Sequence, residues 1–254
     1  MSQFDLTDRV AIITGGGTGI GQGIALEFAK AGADIVLASR KIPNLEKVVG
    51  EIKALGRRAL AIGTDVRIPE QVDSMVKQTV DAFGKIDILV NNAGASFVCP
   101  LEDITPNGWD AVIGVNLKGP YLCCRAAGKV MIGQKSGKII NISSVAGIIG
   151  TPGLAHYGAA KAGLINFTKS LAAEWAKYNI YVNCIAPGWI RTEGAYAAAD
   201  MASEEKITKG IPLGRTGQPA EIGSVAVFLA SEASSYLTGE TLAVQGGPWI
   251  GSQH

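Results

Sequence analysis

The chain has 254 residues, a formal net charge of +1 and 47% hydrophobic residues. That length holds one sizeable core, and charge this low and this scattered offers no surface for nucleic acid or an anionic membrane. The four cysteines, Cys99, Cys123, Cys124 and Cys184, lack metal-ligand spacing, and no apolar run approaches the roughly 18 residues that span a bilayer, so a cytoplasmic protein with reduced thiols and no metal is expected.

Val10–Thr14 reads as a short buried strand, followed at once by Gly15-Gly16-Gly17-Thr18-Gly19-Ile20-Gly21 and a helix through Lys30. Strand, glycine turn and helix form a phosphate-binding layout, because a helix N-terminus offers unpaired N–H groups and partial positive charge. The spacing is TGxxxGxG rather than strict GxGxxG, and a lone glycine cluster would mark only a tight turn. Asp34–Ala38 is the second strand and runs into Ser39-Arg40-Lys41. In dinucleotide folds an acid about 20 residues beyond the glycines takes a ribose 2′-hydroxyl, whereas an arginine there accommodates a 2′-phosphate. No acid stands at this point, so Arg40, with Ser39 and Lys41, selects NADP(H) over NAD(H); a solvent-facing basic pair is the plain alternative.

The alternation continues with a helix near Leu45–Leu55, a strand Ala59–Gly63 carrying Asp65-Val66 at its carboxyl end, and a helix Pro69–Phe83. Strand Ile88–Val90 leads into Asn91-Asn92-Ala93-Gly94, and a helical region from Trp109 to Ile132 is interrupted at Gly119-Pro120, just after Asn116. Pro120 has no N–H for the carbonyl of Asn116, so the helix should open there and admit a water toward Lys161, unless one helix simply ends and another starts. Strand Lys138–Ile142, a long helix from Ala155 toward Tyr178, strand Tyr181–Ala186 ending at Pro187-Gly188, helix Pro219–Ala230 and strand Thr241–Val244 complete the pattern. The polar, glycine-dotted stretch at about 189–217 reads as a mobile substrate lid. Strands alternating with helices of this length imply an α/β, Rossmann-type, doubly wound parallel sheet of about seven strands with helices on both faces, in a single domain over 1–254. Ligands then sit at the carboxyl ends of the strands.

On the long helix Tyr157 and Lys161 stand at i and i+4, on one face, with Cβ atoms roughly 5–6 Å apart. A nearby ammonium favours the phenolate and lowers a tyrosine pKa toward the range a general acid/base needs. Ser144, at the end of strand Lys138–Ile142, places a hydroxyl where it can bond a substrate oxygen. Taken alone, the tyrosine–lysine spacing is also that of a solvated helix face. The opposite side of the helix carries Ala159, Gly163, Asn166, Ser170 and Ala173, small enough for a second helix to approach closely.

With Thr14-Gly15-xxx-Gly19-x-Gly21, Asn91-Asn92-Ala93-Gly94, Asn116, Ser144, Tyr157-xxx-Lys161 and Pro187-Gly188 in this order, the sequence resembles the short-chain dehydrogenase/reductases from about Leu6 to Gly247. The resemblance implies a ketone–alcohol oxidoreductase in which Tyr157 exchanges the proton and Ser144 holds the substrate oxygen. Lys161 lowers the tyrosine pKa and holds the nicotinamide ribose, and Asn116 supports a water path to Lys161. For the cofactor it implies Gly15, Gly17, Thr18, Gly19, Ile20 and Gly21 at the phosphates, and Ser39, Arg40 and Lys41 at the 2′-phosphate. Asp65 and Val66 flank adenine, Asn92, Ala93 and Gly94 line the cleft, and Pro187, Gly188, Ile190 and Thr192 stand at the carboxamide with Tyr157 and Lys161 at the ribose.

Candidate substrate-pocket residues are Phe97, Val98, Val145, Leu154, Trp189 and Tyr196, with His156 a structural neighbour. Three branches are similar: 3-oxoacyl carrier-protein reductases, gluconate 5-dehydrogenases (Ile211 to Gly217 with Pro187-Gly188-Trp189) and NADPH-dependent enoyl-CoA reductases (Ala38 to Lys41). An intact Ser144/Tyr157 pair favours carbonyl over enoyl reduction, so a 3-oxoacyl thioester or related carbonyl reductase is expected, working as a homotetramer. Two departures stand out: Tyr178-Asn179 where carrier-protein reductases commonly have an arginine, and Gln245 where the family usually has an acid.

Overall fold

The computed structural model describes residues 2–192, 205 and 207–248. Seven parallel strands form one sheet: β1 (Val10–Thr14), β2 (Asp34–Ser39), β3 (Ala59–Gly63), β4 (Ile88–Asn91), β5 (Gly137–Ile142), β6 (Ile180–Pro187) and β7 (Thr241–Val244), in the order β3-β2-β1-β4-β5-β6-β7. The order reverses between β1 and β4. A crevice opens there at the carboxyl ends of the strands, because neighbouring chain segments leave in opposite directions.

Alternation along the strands explains the two helical layers. Ala11, Ile13, Ile35, Leu37 and Val90 point to one face, where α1 (Gly19–Lys30), α2 (Ile42–Ala54) and α7 (Pro219–Ala230) cover them with Ile24, Phe28, Leu45, Val48 and Ile222. Ile12, Val36, Leu89 and Val182 point to the other, under α3 (Pro69–Phe83), α5 (Gly119–Gln134) and α6 (Ala155–Trp175), which contribute Val72, Met75, Leu122, Met131 and Leu171. Both faces of each central strand are therefore dry, which is why the strands read as continuous apolar runs rather than alternating ones. Close helix contact on the first face depends on glycine. A Cβ on Gly23 of α1 would stand 2.6 Å from the backbone carbon of Pro219, and one on Gly223 would stand 2.7 Å from Glu27 Cγ.

α4 (Pro106–Ile113) starts at Thr105, whose hydroxyl accepts from the N–H of Gly108. The chain then passes through a π turn, Gly114–Lys118, straight into α5. The N–H of Gly119 reaches back five residues to the carbonyl of Gly114, and Gly119 itself stays helical at φ −57° and ψ −55°. The helix thus does not stop at Gly119-Pro120; it widens, with Asn116 inside the wide turn. A turn of α-helix would have required the N–H that Pro120 lacks.

The strand boundaries agree with the sequence reading to within two residues. α2 begins earlier than expected, with Pro43 in its first turn, where proline is pre-set for a helix. Short 3₁₀ turns at Leu101–Asp103, Val145–Gly147 and Glu232–Ser234 are too brief for periodicity to show. Asn179 ends the α6 region at φ 57°, a left-handed position asparagine tolerates well, which is a backbone reason for the residue found there. Of the stretch read as a lid, residues 193–204 and 206 lie outside the described residues, and Tyr196 with them. Its two ends are tied together: the N–H of Gly217 donates to Trp189 O (2.9 Å) and that of Arg191 to Gly217 O (2.7 Å). Among the described residues no helix is long and apolar enough to cross a membrane.

Candidate active site

Two adjoining cavities occupy the crevice. One, of about 610 Å³, runs from the glycine turn past the ends of β2 and β3; the other, of about 390 Å³, lies over the ends of β4, β5 and β6. Gly94 and Ala95 line both.

The glycine turn is held by its neighbour strand. Thr14 Oγ1 accepts from the N–H groups of Asn92 (3.0 Å) and Ala93 (3.1 Å), and Asn92 Nδ2 donates to the carbonyls of Thr14 (3.0 Å) and Gly15 (3.2 Å). The Asn92 side chain is thus engaged in fixing the turn, a role its spacing did not reveal. Asn91 works below it: its amide donates to Asn141 Oδ1 (2.8 Å), and Asn141 donates to Thr168 Oγ1 (2.9 Å) on α6, tying β4, β5 and the tyrosine helix together inside the core. Gly21 is a packing glycine rather than a cleft residue, since a Cβ there would stand 2.3 Å from Gly15 O. Gly19, at φ 56°, faces the Thr192 side chain instead.

Gly15, Gly17 and Thr18 line the larger cavity, where α1 begins. Thr18 caps α1 with extended backbone but makes no side-chain cap bond, and the first turn carries no acid. The first N–H groups of α1 are therefore left to an outside acceptor, which fits a phosphate. Farther along stand Ser39, Arg40, Lys41, Asp65 and Val66 as the sequence predicts, together with Asn44 and Arg67, which it did not single out. Arg40 and Lys41 are exposed, and Arg40 has no hydrogen-bond or ion-pair partner among the described residues. Ser39 Oγ accepts from the N–H of Lys41 (3.3 Å).

The smaller cavity gathers Ser144, Tyr157, Lys161, Pro187, Gly188, Ile20 and Thr192, and adds Ser143 and Ser96. The two serines divide the work. Ser143 is buried and donates to Lys161 O (2.9 Å), pinning the backbone of α6, whereas Ser144 accepts from the N–H of Ala146 (3.1 Å) and hydrogen-bonds Tyr157. Lys161 is buried, its Nζ 2.8 Å from Ile142 O and 5.5 Å from the centre of the Tyr157 ring. Burial pushes the Lys161 ammonium down to about 8 from its ordinary 10.5. Burial also holds the Tyr157 hydroxyl above its ordinary value of 10, with the Ser144 hydrogen bond pulling the other way. The shift of Tyr157 is thus upward, against the lowering by Lys161 expected from the spacing. Desolvation opposes both charges at once, and the ammonium is turned onto a backbone carbonyl.

Asn116 is fully buried and outside the cavity lining; its amide donates to Ala95 O (2.7 Å) and Val112 O (2.9 Å). A Cβ on Gly94 would meet Asn116 Oδ1 at 2.7 Å and Lys161 Nζ at 3.6 Å, so both polar groups close on the same glycine. The Oδ1 atom is buried with no hydrogen-bond partner among the described residues. Ile190 belongs to the core and bridges to Gly217 rather than opening into the cavity.

The proposed substrate residues divide. Phe97 lines the cofactor-side cavity and meets the buried His156 edge-on at 4.4 Å between ring centres. Val98 packs on Gly153, while Val145 and Leu154 are half-buried and Trp189 is exposed; none of these four lines either cavity. Gly188 packs directly on Gln245, where a Cβ would stand 2.8 Å from Gln245 Cβ.

A doubly wound sheet, an uncapped helix behind a glycine turn, and a tyrosine–lysine pair at the switch point define a nicotinamide-dependent oxidoreductase acting on CH–OH and C=O groups. A family model described as enoyl-(acyl carrier protein) reductase matches residues 15–248. The chain is 44% identical over 244 residues to a 3-oxoacyl-[acyl-carrier-protein] reductase of Synechocystis, covering 95% of this chain and 97% of that one. It is 43% identical, over 95% of this chain and 98% of the relative, to the reductase of the same name from Staphylococcus aureus. Among solved structures, a short-chain type dehydrogenase/reductase from Mycobacterium marinum superposes with a TM-score of 0.92 at 38% identity, covering 96% and 97% of the two chains. The protein gox2181 gives 0.94 at 35%, with the same coverage. The chain belongs to the short-chain dehydrogenase/reductase family.

Proposed function

We propose that the protein reduces the 3-oxo group of an acyl thioester, or a closely related ketone, with NADPH. The observation that carries the chemistry is the meeting of Ser144, Tyr157 and Lys161 around one cavity at the carboxyl end of β5. The bound nicotinamide supplies the hydride. Ser144 orients the carbonyl oxygen, and Tyr157 delivers a proton to it as negative charge develops. Burial keeps the Tyr157 hydroxyl protonated at neutral pH, the form that donates to the developing oxyanion. Lys161 is the group through which that proton is replaced, with Asn116 beside it.

The 2′-phosphate reading is supported by the exposed Arg40 and Lys41 and by the absence of an acid at the end of β2. The thioester reading is supported by the two curated relatives and by the apolar character of the segments leaving the cavity. Val98 and Leu101 follow Ser96, Ile148 follows Ser144 and Trp189 follows Gly188, all of them exposed. Exposed apolar side chains of this kind suit an acyl chain better than a polyhydroxy acid. The chain is read as one domain. The protein is proposed to work in the cytoplasm as a homotetramer built partly on the exposed small-residue face of α6.

A panel of 3-oxoacyl thioesters, 2-enoyl thioesters and gluconate, each assayed with NADPH and NADH, tests the reading. NADPH-dependent turnover of the 3-oxoacyl compounds is expected. Turnover of the enoyl compounds alone would favour the activity in the family model's description, and turnover of gluconate alone would overturn the thioester assignment.

A further inference from the structure

Among the described residues the only acid in the lining of the cofactor-side cavity is Asp65, and it is not free. Arg67, two residues on, holds it from the side: Nε lies 2.9 Å from Oδ1 and 3.2 Å from Oδ2, and Nη2 lies 2.5 Å from Oδ2. The backbone N–H of Arg67 adds a bond to Oδ1 (3.0 Å), and the N–H of Asp65 is fixed by Gln71 Oε1 (2.7 Å). The stem of Arg67 lies along the helix junction, where a Cβ on Gly114 would meet its Cδ at 3.7 Å. The guanidinium end of this arm is fixed on Asp65, and the carboxylate is presented to the cavity already paired.

Arg40 enters the same cavity from β2 with no partner among the described residues, and its charge reaches Asp65. Without Arg67, Asp65 would be an unpaired anion in the lining that Arg40 shares, open to pairing with it. It would also stand as a bare negative charge in the same cavity as any phosphate bound at Arg40.

We infer that Arg67 is a specificity-determining residue for the 2′-phosphate, acting through Asp65 rather than on the phosphate itself. By holding the carboxylate in a two-pronged ion pair, it keeps Arg40 available and removes the one repelling charge from the cavity. The inference rests on the NADP(H) reading of Arg40. Counting Arg40, Lys41 and Arg67 against Asp65, the cavity carries a surplus of positive charge. Arg67→Gln reduces that surplus and also frees the carboxylate. Arg67→Gln with Asp65→Asn removes both members of the pair and restores the balance.

The experiment measures dissociation constants of NADPH and NADH by fluorescence titration at fixed ionic strength. The proteins are the wild type, Arg40→Ala, Arg67→Gln, Asp65→Asn and the Arg67→Gln/Asp65→Asn double variant, each confirmed as folded by its melting curve. The quantity read is the ratio of the NADH to the NADPH constant, in which any shared effect on adenine cancels. The ratio is expected to fall about fivefold to tenfold in Arg67→Gln. It is expected to stay at or above the wild-type value in Asp65→Asn, and to return to within about twofold of it in the double variant. An unchanged ratio in Arg67→Gln overturns the inference. A ratio that falls and is not restored in the double variant also overturns it, because Arg67 would then touch the phosphate directly. If the wild type itself binds NADH as tightly as NADPH, or Arg40→Ala leaves its preference intact, the cofactor reading falls as well. The two failures are thereby told apart.

Discussion

Lys161→Met should make the cofactor-free protein no less stable at neutral pH while abolishing its activity. The side chain is buried, with 3% of its surface exposed, and its ammonium is pushed down to about 8 from 10.5. At about 1.4 kcal/mol per pKa unit, keeping it charged costs the folded state roughly 3 kcal/mol at pH 7. Methionine retains the stem but leaves Ile142 O, 2.8 Å from Nζ, without its donor. That loss takes back about 1–3 kcal/mol, so the net lies between about zero and 2 kcal/mol in favour of the variant.

The pH dependence isolates the cause. The folded pKa lies below the unfolded one, so between about 8 and 10.5 the unfolded chain binds more protons. Wild-type stability therefore rises with pH through that window, and the variant lacks this contribution. Urea unfolding of both proteins without cofactor, at equal concentration because subunit association shifts apparent stability, should show the difference moving toward the wild type by about 2–3 kcal/mol between pH 7 and pH 10. A difference that stays constant over that range would refute the reasoning.

Tyr157→Phe removes only the titrating hydroxyl, and a rate loss of at least ~100-fold with cofactor binding retained is expected; near-normal turnover would sink the proposed acid. Gly128→Ala places a Cβ 2.2 Å from Trp175 Cη2. Overpacking of about 1–3 kcal/mol outweighs the roughly 1 kcal/mol gained in helix propensity, so a lower urea midpoint is predicted, and an unchanged one would contradict the contact. On α6, Ala155, Ala159, Ala162, Asn166, Ser170 and Ala173 are exposed, whereas Gly163 is covered by Leu117 of the same chain. Sedimentation should show a tetramer that Ala162→Arg dissociates; a wild-type monomer at micromolar concentration would end that proposal.

The sequence by itself determined the order and kind of elements, because buried parallel strands must be continuous apolar runs and most of their helices start at a glycine turn or a proline. It also determined which end of the sheet carries chemistry: Thr14, Ser39, Asp65 and Asn91 each fall where a strand ends. Tyr157 and Lys161 could be paired from the i, i+4 spacing alone.

Only the tertiary structure decided what those groups experience. Burial at the junction of β5, β6 and α6 holds the tyrosine proton on and lowers the lysine, against the expectation from spacing, because desolvation depends on everything packed around the pair. Ser143 and Ser144 are equivalent as letters and both line the cavity, but the fold spends the hydroxyl of Ser143 on the backbone of α6 and places that of Ser144 against the tyrosine. Asn92 lines the smaller cavity as the sequence suggests, yet its amide also ties the glycine turn to β4, and Gly21 lets α1 approach that turn. Arg67 could have been noticed from its place two residues beyond Asp65, but local spacing cannot show that its guanidinium turns back onto that carboxylate within the same cavity. Periodicity reports which face of an element is buried, whereas the partner each polar group finds is fixed by contacts between residues far apart in sequence.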